Sequence, residues 1–274
     1  MIQLICDKQQ SLKQFTDNAC AQASFYFSYL LKNKEIKVNG KKVNKDIALN
    51  QGDIIEYYLT QKQEQKVAYY TVYEDENILI IDKESGVNSE AVFADLTRKS
   101  GGKYAFIHRL DRNTRGVMAF AKNARTEEKL LLAFKEKQVE KLYLARFFGA
   151  FEKADGVLTA YLKKDEKNAL VKIYDTPVKD SEKIITEYKN AQRKADGTWI
   201  VEVVLHTGKT HQIRAHLAHI GAPIVGDMKY GDTQKNKALN ITRQCLIAKT
   251  LRFCLDGELA YLQEKSFVSQ FEME

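Results

Sequence analysis

The stretch His108-Arg109-Leu110-Asp111-Arg112-Asn113-Thr114-Arg115-Gly116 sets one carboxylate, Asp111, among three guanidinium groups, Arg109, Arg112 and Arg115. Strand-like runs flank it at 105–107 and 117–121, so it reads as a loop carried between two strands. Nearby positive charge favours the ionised form of a carboxylic acid. Guanidinium forks also match phosphate geometry, so one loop could grip a polynucleotide backbone and offer its carboxylate to a sugar or base. A surface turn with ordinary ion pairs accounts for the same residues. The rest of the chain has to decide between the two.

Outward from that loop, strand candidates recur at 78–81, 142–148 and 199–205, with helices expected near 124–137 and 211–220. Only two prolines, Pro177 and Pro223, interrupt a chain rich in β-branched and aromatic residues. The expected fold class is α+β: a mixed, mostly antiparallel sheet with helices outside it. The 274 residues fit one domain of about 200 residues plus a smaller one. A net charge of +7 makes an anionic partner plausible without naming it.

Residues 1–62 form a pattern of their own. Helical stretches are expected from Ser11-Leu12-Lys13 and over 23–31, where Phe25, Tyr29 and Leu30 share a face. Then the period changes. Ile36-Lys37-Val38 and Lys41-Lys42-Val43 flank Asn39-Gly40, the dipeptide that best supplies two positive-φ residues to a tight hairpin. A turn at Asn50-Gln51-Gly52-Asp53 leads into a strand over 54–58. Six lysines, Lys34, Lys37, Lys41 and Lys42 among them, crowd this hairpin with one acid, Glu35. Such a hairpin is either a solvated edge or a phosphate-binding face. Residues 61–66, Q-K-Q-E-Q-K, carry no apolar anchor and read as linker, so a boundary is expected over 63–69, with a second domain from 70 to 274.

Cys6, Cys20, Cys245 and Cys254 show no C-x-x-C spacing and are expected to be reduced, buried thiols. No apolar run approaches the roughly 18 residues of a membrane span, and the N-terminus lacks a signal-peptide layout, so the expectation is a cytosolic chain.

A second dense segment is L-H-T-G-K-T-H-Q-I-R-A-H, residues 205–216. Thr210 is placed to cap a helix whose buried stripe would be Ile213, Leu217 and Ile220, stopped by Gly221 and Pro223. Arg214 lies off that stripe and could pair with Asp111 if the helix start faces the loop. Gly208-Lys209-Thr210 is not a phosphate loop, because position 203, where the motif needs glycine, is Val203. His206, His211, His216 and His219 lack the spacing and companions of a zinc site. A third segment, Glu140-Lys141-Leu142-Tyr143-Leu144-Ala145, alternates as a strand and puts Tyr143 on the side of Lys141 and Ala145. Tyr143 reads as a core aromatic or as the floor for a flipped base.

Taken in order, these three segments and the following G-A-P-I-V-G-D-M-K-Y-G resemble the RluA-type pseudouridine synthases over residues 70 to 232. The string K-N-K-E-I-K-V-N-G-K-K-V with N-Q-G-D-I-I resembles the small αα-hairpin RNA-binding domain of the ribosomal-protein type. These resemblances imply a pseudouridine synthase fold and isomerisation of uridine in structured RNA, ribosomal RNA above transfer RNA, by base flipping. They imply Asp111 as the essential carboxylate, Arg214 as its partner and Tyr143 stacked on the uracil, with no metal, organic cofactor, membrane or obligate protein partner. Arg109 matches the position that fills the gap in the RNA stack, and Arg112, Lys209 and His211 would contact RNA. Three positions depart from the family's pattern: Glu84 where proline is usual after the lysine, Arg115 for a small hydroxyl residue, and Lys209 for arginine. None removes the central residues. The competing reading is an inactive RNA-binding or ribosome-assembly factor of the same fold.

Overall fold

The computed structural model describes residues 1–273. Two compact units emerge: one holds Met1–Arg112 with Ala119–Glu127, the other Asn113–Met118 with the chain from Glu128 onward.

In the first unit, residues 1–58 build a four-stranded antiparallel sheet ordered Ile2–Ile5, Ile54–Tyr57, Ile36–Val38, Lys41–Val43. Helix Leu12–Ala19 starts where the Ser11 hydroxyl accepts the Gln14 N–H at 3.1 Å, a side-chain cap. Asn39 and Gly40 adopt φ of 50° and 75°, as the hairpin demands. The helix expected over 23–31 is broken at Tyr26 into Ala21–Phe25 and Phe27–Lys32. That break lets Phe27 and Leu30 enter a core with Leu12, Phe15, Ile36, Ile55 and Tyr57 while Phe25 turns to face Gly86. The polar run after Thr60 is no open linker: Gln61–Glu64 is one helical turn, closed by a reciprocal Thr60–Gln63 capping box.

The same unit continues with a hairpin of Tyr69–Glu74 and the fully buried Ile78–Lys83, then helix Ser89–Ser100, closed by Gly101 in left-handed conformation. Helix Leu12–Ala19 packs on helix Ser89–Ser100. Strand Ala105–Phe106 pairs with the last residues of Arg115–Ala121.

The second unit is a mostly antiparallel sheet in the order Leu170–Tyr174, Gly156–Asp165, Glu182–Arg193, Trp199–Leu205, Val139–Phe147, Leu246–Phe253. The start of Arg115–Ala121 joins it in parallel, Gly116 opposite Ala248. A Cβ at Gly116 would lie 2.3 Å from the Ala248 carbonyl oxygen, and its φ is 122°, so only glycine permits this approach. Of the sheet's strands, 156–165, 170–174, 182–193 and 246–253 were not anticipated. Cys6, Cys20 and Cys245 are buried, but Cys254 is exposed, because it follows the end of strand Leu246–Phe253. Among the described residues no helix is long and apolar enough to cross a membrane.

Candidate active site

Asp111 sits in the loop between strands Ala105–Phe106 and Arg115–Ala121, half-buried. The backbone on both sides of it is pinned. Leu110, its predecessor, gives its N–H to the Ser89 hydroxyl at 3.0 Å and takes that hydroxyl's proton on its carbonyl at 2.9 Å. Arg112, its successor, accepts on its carbonyl the Lys83 ammonium at 3.2 Å and the Gly86 N–H at 2.9 Å. Lys83 is fully buried and also donates to the carbonyls of Glu84 and Val87, each at 2.9 Å. Its three protons thus meet three carbonyls. Burial pulls Lys83 down to about 7, with the Asp111 carboxylate pulling the other way.

The three arginines of this segment take divergent partners. Arg109 is exposed and pairs with Glu90 at 2.7 Å. Arg112 pairs with Asp17 at 2.8 Å. In the second unit, Arg115 is buried, with its guanidinium carbon 4.9 Å from the centre of the Phe271 ring.

Arg214, in helix Gln212–His219, is 5% exposed. Its Nε donates to Asp227 Oδ2 at 2.6 Å and its Nη2 to Oδ1 at 3.0 Å. This planar two-point pairing fixes the guanidinium's orientation. Asp227 also accepts the N–H groups of Lys229 and Tyr230. Burial pushes its carboxyl up, but Arg214 and these N–H groups outweigh that and hold it below the usual range. The Tyr230 ring lies under the guanidinium, 5.2 Å from centroid to carbon, while its hydroxyl meets His211 Nδ1 at 2.9 Å.

Two details of this helix correct the expectations. Thr210 does not cap it: His211 occupies the N-cap at φ 56° with no side-chain cap. The Gln212 side-chain carbonyl reaches back instead, accepting the Lys209 N–H and the Thr207 hydroxyl. Ile220 is exposed rather than part of the buried stripe, because the helix ends at His219. Lys209 forms an ion pair with Glu182.

Tyr143, on strand Val139–Phe147, is 9% exposed and lies between Val203 and Ala248 of the neighbouring strands. At the Leu142–Tyr143 step the register to strand Leu246–Phe253 shifts, leaving Lys249 as an extra residue. Such a bulge re-aims nearby side chains. Lys141, two residues before Tyr143, rests its ammonium over the Phe134 ring, and burial lowers its pKa.

The RNA pseudouridylate synthase family matches residues 27–219, a span that holds Asp111, Tyr143 and Arg214. The chain belongs to this family. Ribosomal large subunit pseudouridine synthase C of Rickettsia bellii is 33% identical over 229 residues, covering 74% of this chain and 76% of the relative. The protein of the same name from Rickettsia felis is 31% identical over 272 residues, covering 87% and 89%. In fold, the chain is similar to human RNA pseudouridylate synthase domain containing 1, with a TM-score of 0.61 and 24% identity over 69% of this chain and 79% of that one.

For an RNA pseudouridine synthase, the residues that the sequence left without a role are the supports. Asp227 stood in view within G-D-M-K-Y-G, and the glycines around it were the available signal. A Cβ at Gly226 would lie 1.9 Å from the Arg243 carbonyl oxygen and one at Gly231 2.2 Å from that of Asp227. The turn presenting Asp227 to Arg214 is that tight. Lys83 had a weaker signal: a lysine that, with Asp82, ends a strand begun by four apolar residues, all six of them buried.

Proposed function

We propose that this chain converts specific uridines of structured RNA to pseudouridine in the cytoplasm, with ribosomal RNA the favoured substrate and transfer RNA the other candidate. The N1–C1′ glycosidic bond breaks, the uracil turns, and C5 bonds to C1′; C5 releases a proton and N1 takes one up. Asp111 is the essential carboxylate, Arg214 keeps it ionised, and Tyr143 offers its ring to the uracil and assists proton removal from C5. Arg109 takes the extruded nucleotide's place in the stack, and Arg112, Lys209 and His211 contact RNA. Residues 1–62 are an RNA-binding module whose Lys34, Lys37, Lys41 and Lys42 face phosphate, residues 63–69 join it to the rest, and 70–274 carry the chemistry.

The observation that carries this reading is the pinned backbone around Asp111. Extruding a nucleotide costs a few kcal/mol, so a carboxylate already held in place spares binding energy that a mobile loop would consume. Ribosomal RNA lacking pseudouridine, incubated with the protein and mapped, should gain the modification. Asp111→Asn should abolish that signal while RNA affinity stays within a few fold. No new pseudouridine from the native protein in any RNA fraction would overturn the proposal.

A further inference from the structure

The N-terminal module touches the loop that carries Asp111, and it does so through the very next residue. Asp17, on helix Leu12–Ala19, takes the Arg112 guanidinium on Oδ1 at 2.8 Å. The same oxygen accepts the Ser24 hydroxyl at 2.7 Å, and Lys13 pairs with Oδ2. Arg112 reaches the Ser24 carbonyl too, at 3.4 Å. A second tie lies beside the first, where Asn88 Nδ2 donates to Asn18 Oδ1 at 3.0 Å. Phe25 closes on the loop at Gly86, where a Cβ would come within 3.5 Å of its ring, and the Lys66 ammonium sits 5.4 Å from that ring's centroid. Finally, the Glu84 N–H donates to the Ala68 carbonyl at 2.9 Å, a bond that proline at 84 could not make.

The Arg112 carbonyl, for its part, holds the Lys83 ammonium and the Gly86 N–H. Arg112 is thus clamped at both ends: its side chain by the module, its backbone by the buried lysine. Clamping a residue at both ends restricts the backbone of its neighbour, Asp111. A module that served only to collect RNA would need none of these contacts, since a flexible tether raises local concentration without them.

We infer that Asp17 is a positioning residue for the catalytic loop, so that the N-terminal module supports catalysis itself as well as RNA capture. This rests on the reading of Asp111 as the essential carboxylate. Asp17 is suited to the task because it stays charged: burial pushes it up, but Lys13, Ser24 and Arg112 bring it below its ordinary value. Neutralising it leaves Arg112 with an uncompensated charge and frees the guanidinium to swing.

The test separates rate from affinity in the full chain, using unmodified ribosomal RNA as the probe. Asp17→Asn should slow the single-turnover rate at saturating enzyme at least tenfold while the dissociation constant for RNA changes less than threefold. Asp17→Glu should recover most of the rate, since it keeps the charge. A rate equal to that of the native protein, or a loss confined to affinity, would overturn the inference. Asp111→Asn runs alongside: if it is inactive and Asp17→Asn is not, only the positioning role falls, whereas an active Asp111→Asn removes the underlying reading. Should Asp17→Asn prove unfolded by circular dichroism, Asn18→Ala removes only the tie to Asn88 and should slow the rate about threefold; no slowing then counts against the inference.

Discussion

Asp227 grips Arg214 along one edge of the guanidinium, at 2.6 Å and 3.0 Å, with both side chains sealed from solvent. A buried pair of this kind contributes little net stability over an apolar substitute, yet removing one partner takes a buried counter-charge from the other, at a cost of up to about 3–5 kcal/mol. Asp227→Asn should therefore lower the melting temperature and slow pseudouridine formation at least tenfold. Thermal unfolding and single-turnover assays on the same preparation would check both. An unchanged melting curve would show that Arg214 does not depend on Asp227 for its counter-charge.

How much of this could be read beforehand depended on whether a residue's role was local or spatial. Asn39-Gly40 announced its hairpin because positive φ is a property of those two residues themselves. Asp111 stood out because its neighbours in sequence are so unusual in charge. By contrast, the partners of Arg112 and Arg214 lie 95 and 13 positions away in the chain, and no periodicity links them. Strands Gly156–Asp165 and Glu182–Arg193 escaped notice since charged residues fall on both faces, Lys163 and Lys164 in the first and Glu182 and Lys183 in the second, with burial limited to positions such as Ala160, Leu162 and Ile184. Thr210 looked like a cap by residue type, but the helix starts one residue later, at a left-handed His211, and the Gln212 side chain braces the preceding turn by accepting the Lys209 N–H. Polar residues such as Lys83 read as surface until the fold encloses them.

His216 gives the fold an acid-sensitive point. The Thr186 hydroxyl accepts from Gln212 Nε2 at 3.0 Å, leaving its own proton for His216 Nδ1 at 2.9 Å. Burial drives the imidazole down to about 4 from its ordinary 6.5, with His219 adding to the effect and Asp175 opposing it. The depressed value means the unfolded chain binds a proton between pH 6.5 and 4 that the folded chain refuses. Stability is therefore lost as pH falls through that window, by up to about 1.4 kcal/mol per pH unit from this group. Melting temperatures measured across pH 4 to 7 should decline toward acid, and His216→Gln should make the decline shallower. Parallel curves for the two proteins would refute this assignment.

The lysine-rich hairpin offers a measurable electrostatic signature. Lys34, Lys41 and Lys42 are exposed, and Lys37 donates to the Tyr58 hydroxyl at 2.9 Å while lying 4.8 Å from that ring's centroid. A lysine seated over a tyrosine keeps its charge outward beside an aromatic face, a combination that suits a phosphate next to an unstacked base. Each phosphate neutralised on single-stranded RNA steepens the fall of log affinity with log salt by about 0.7. Replacing all four lysines by alanine should weaken binding at low salt and flatten that slope by up to about 3 if every lysine meets a phosphate. Binding titrations of a ribosomal RNA fragment at several potassium chloride concentrations would read the change directly. A slope that stays the same would mean that these lysines resist edge-to-edge aggregation of the Lys41–Val43 strand and that the RNA is held elsewhere.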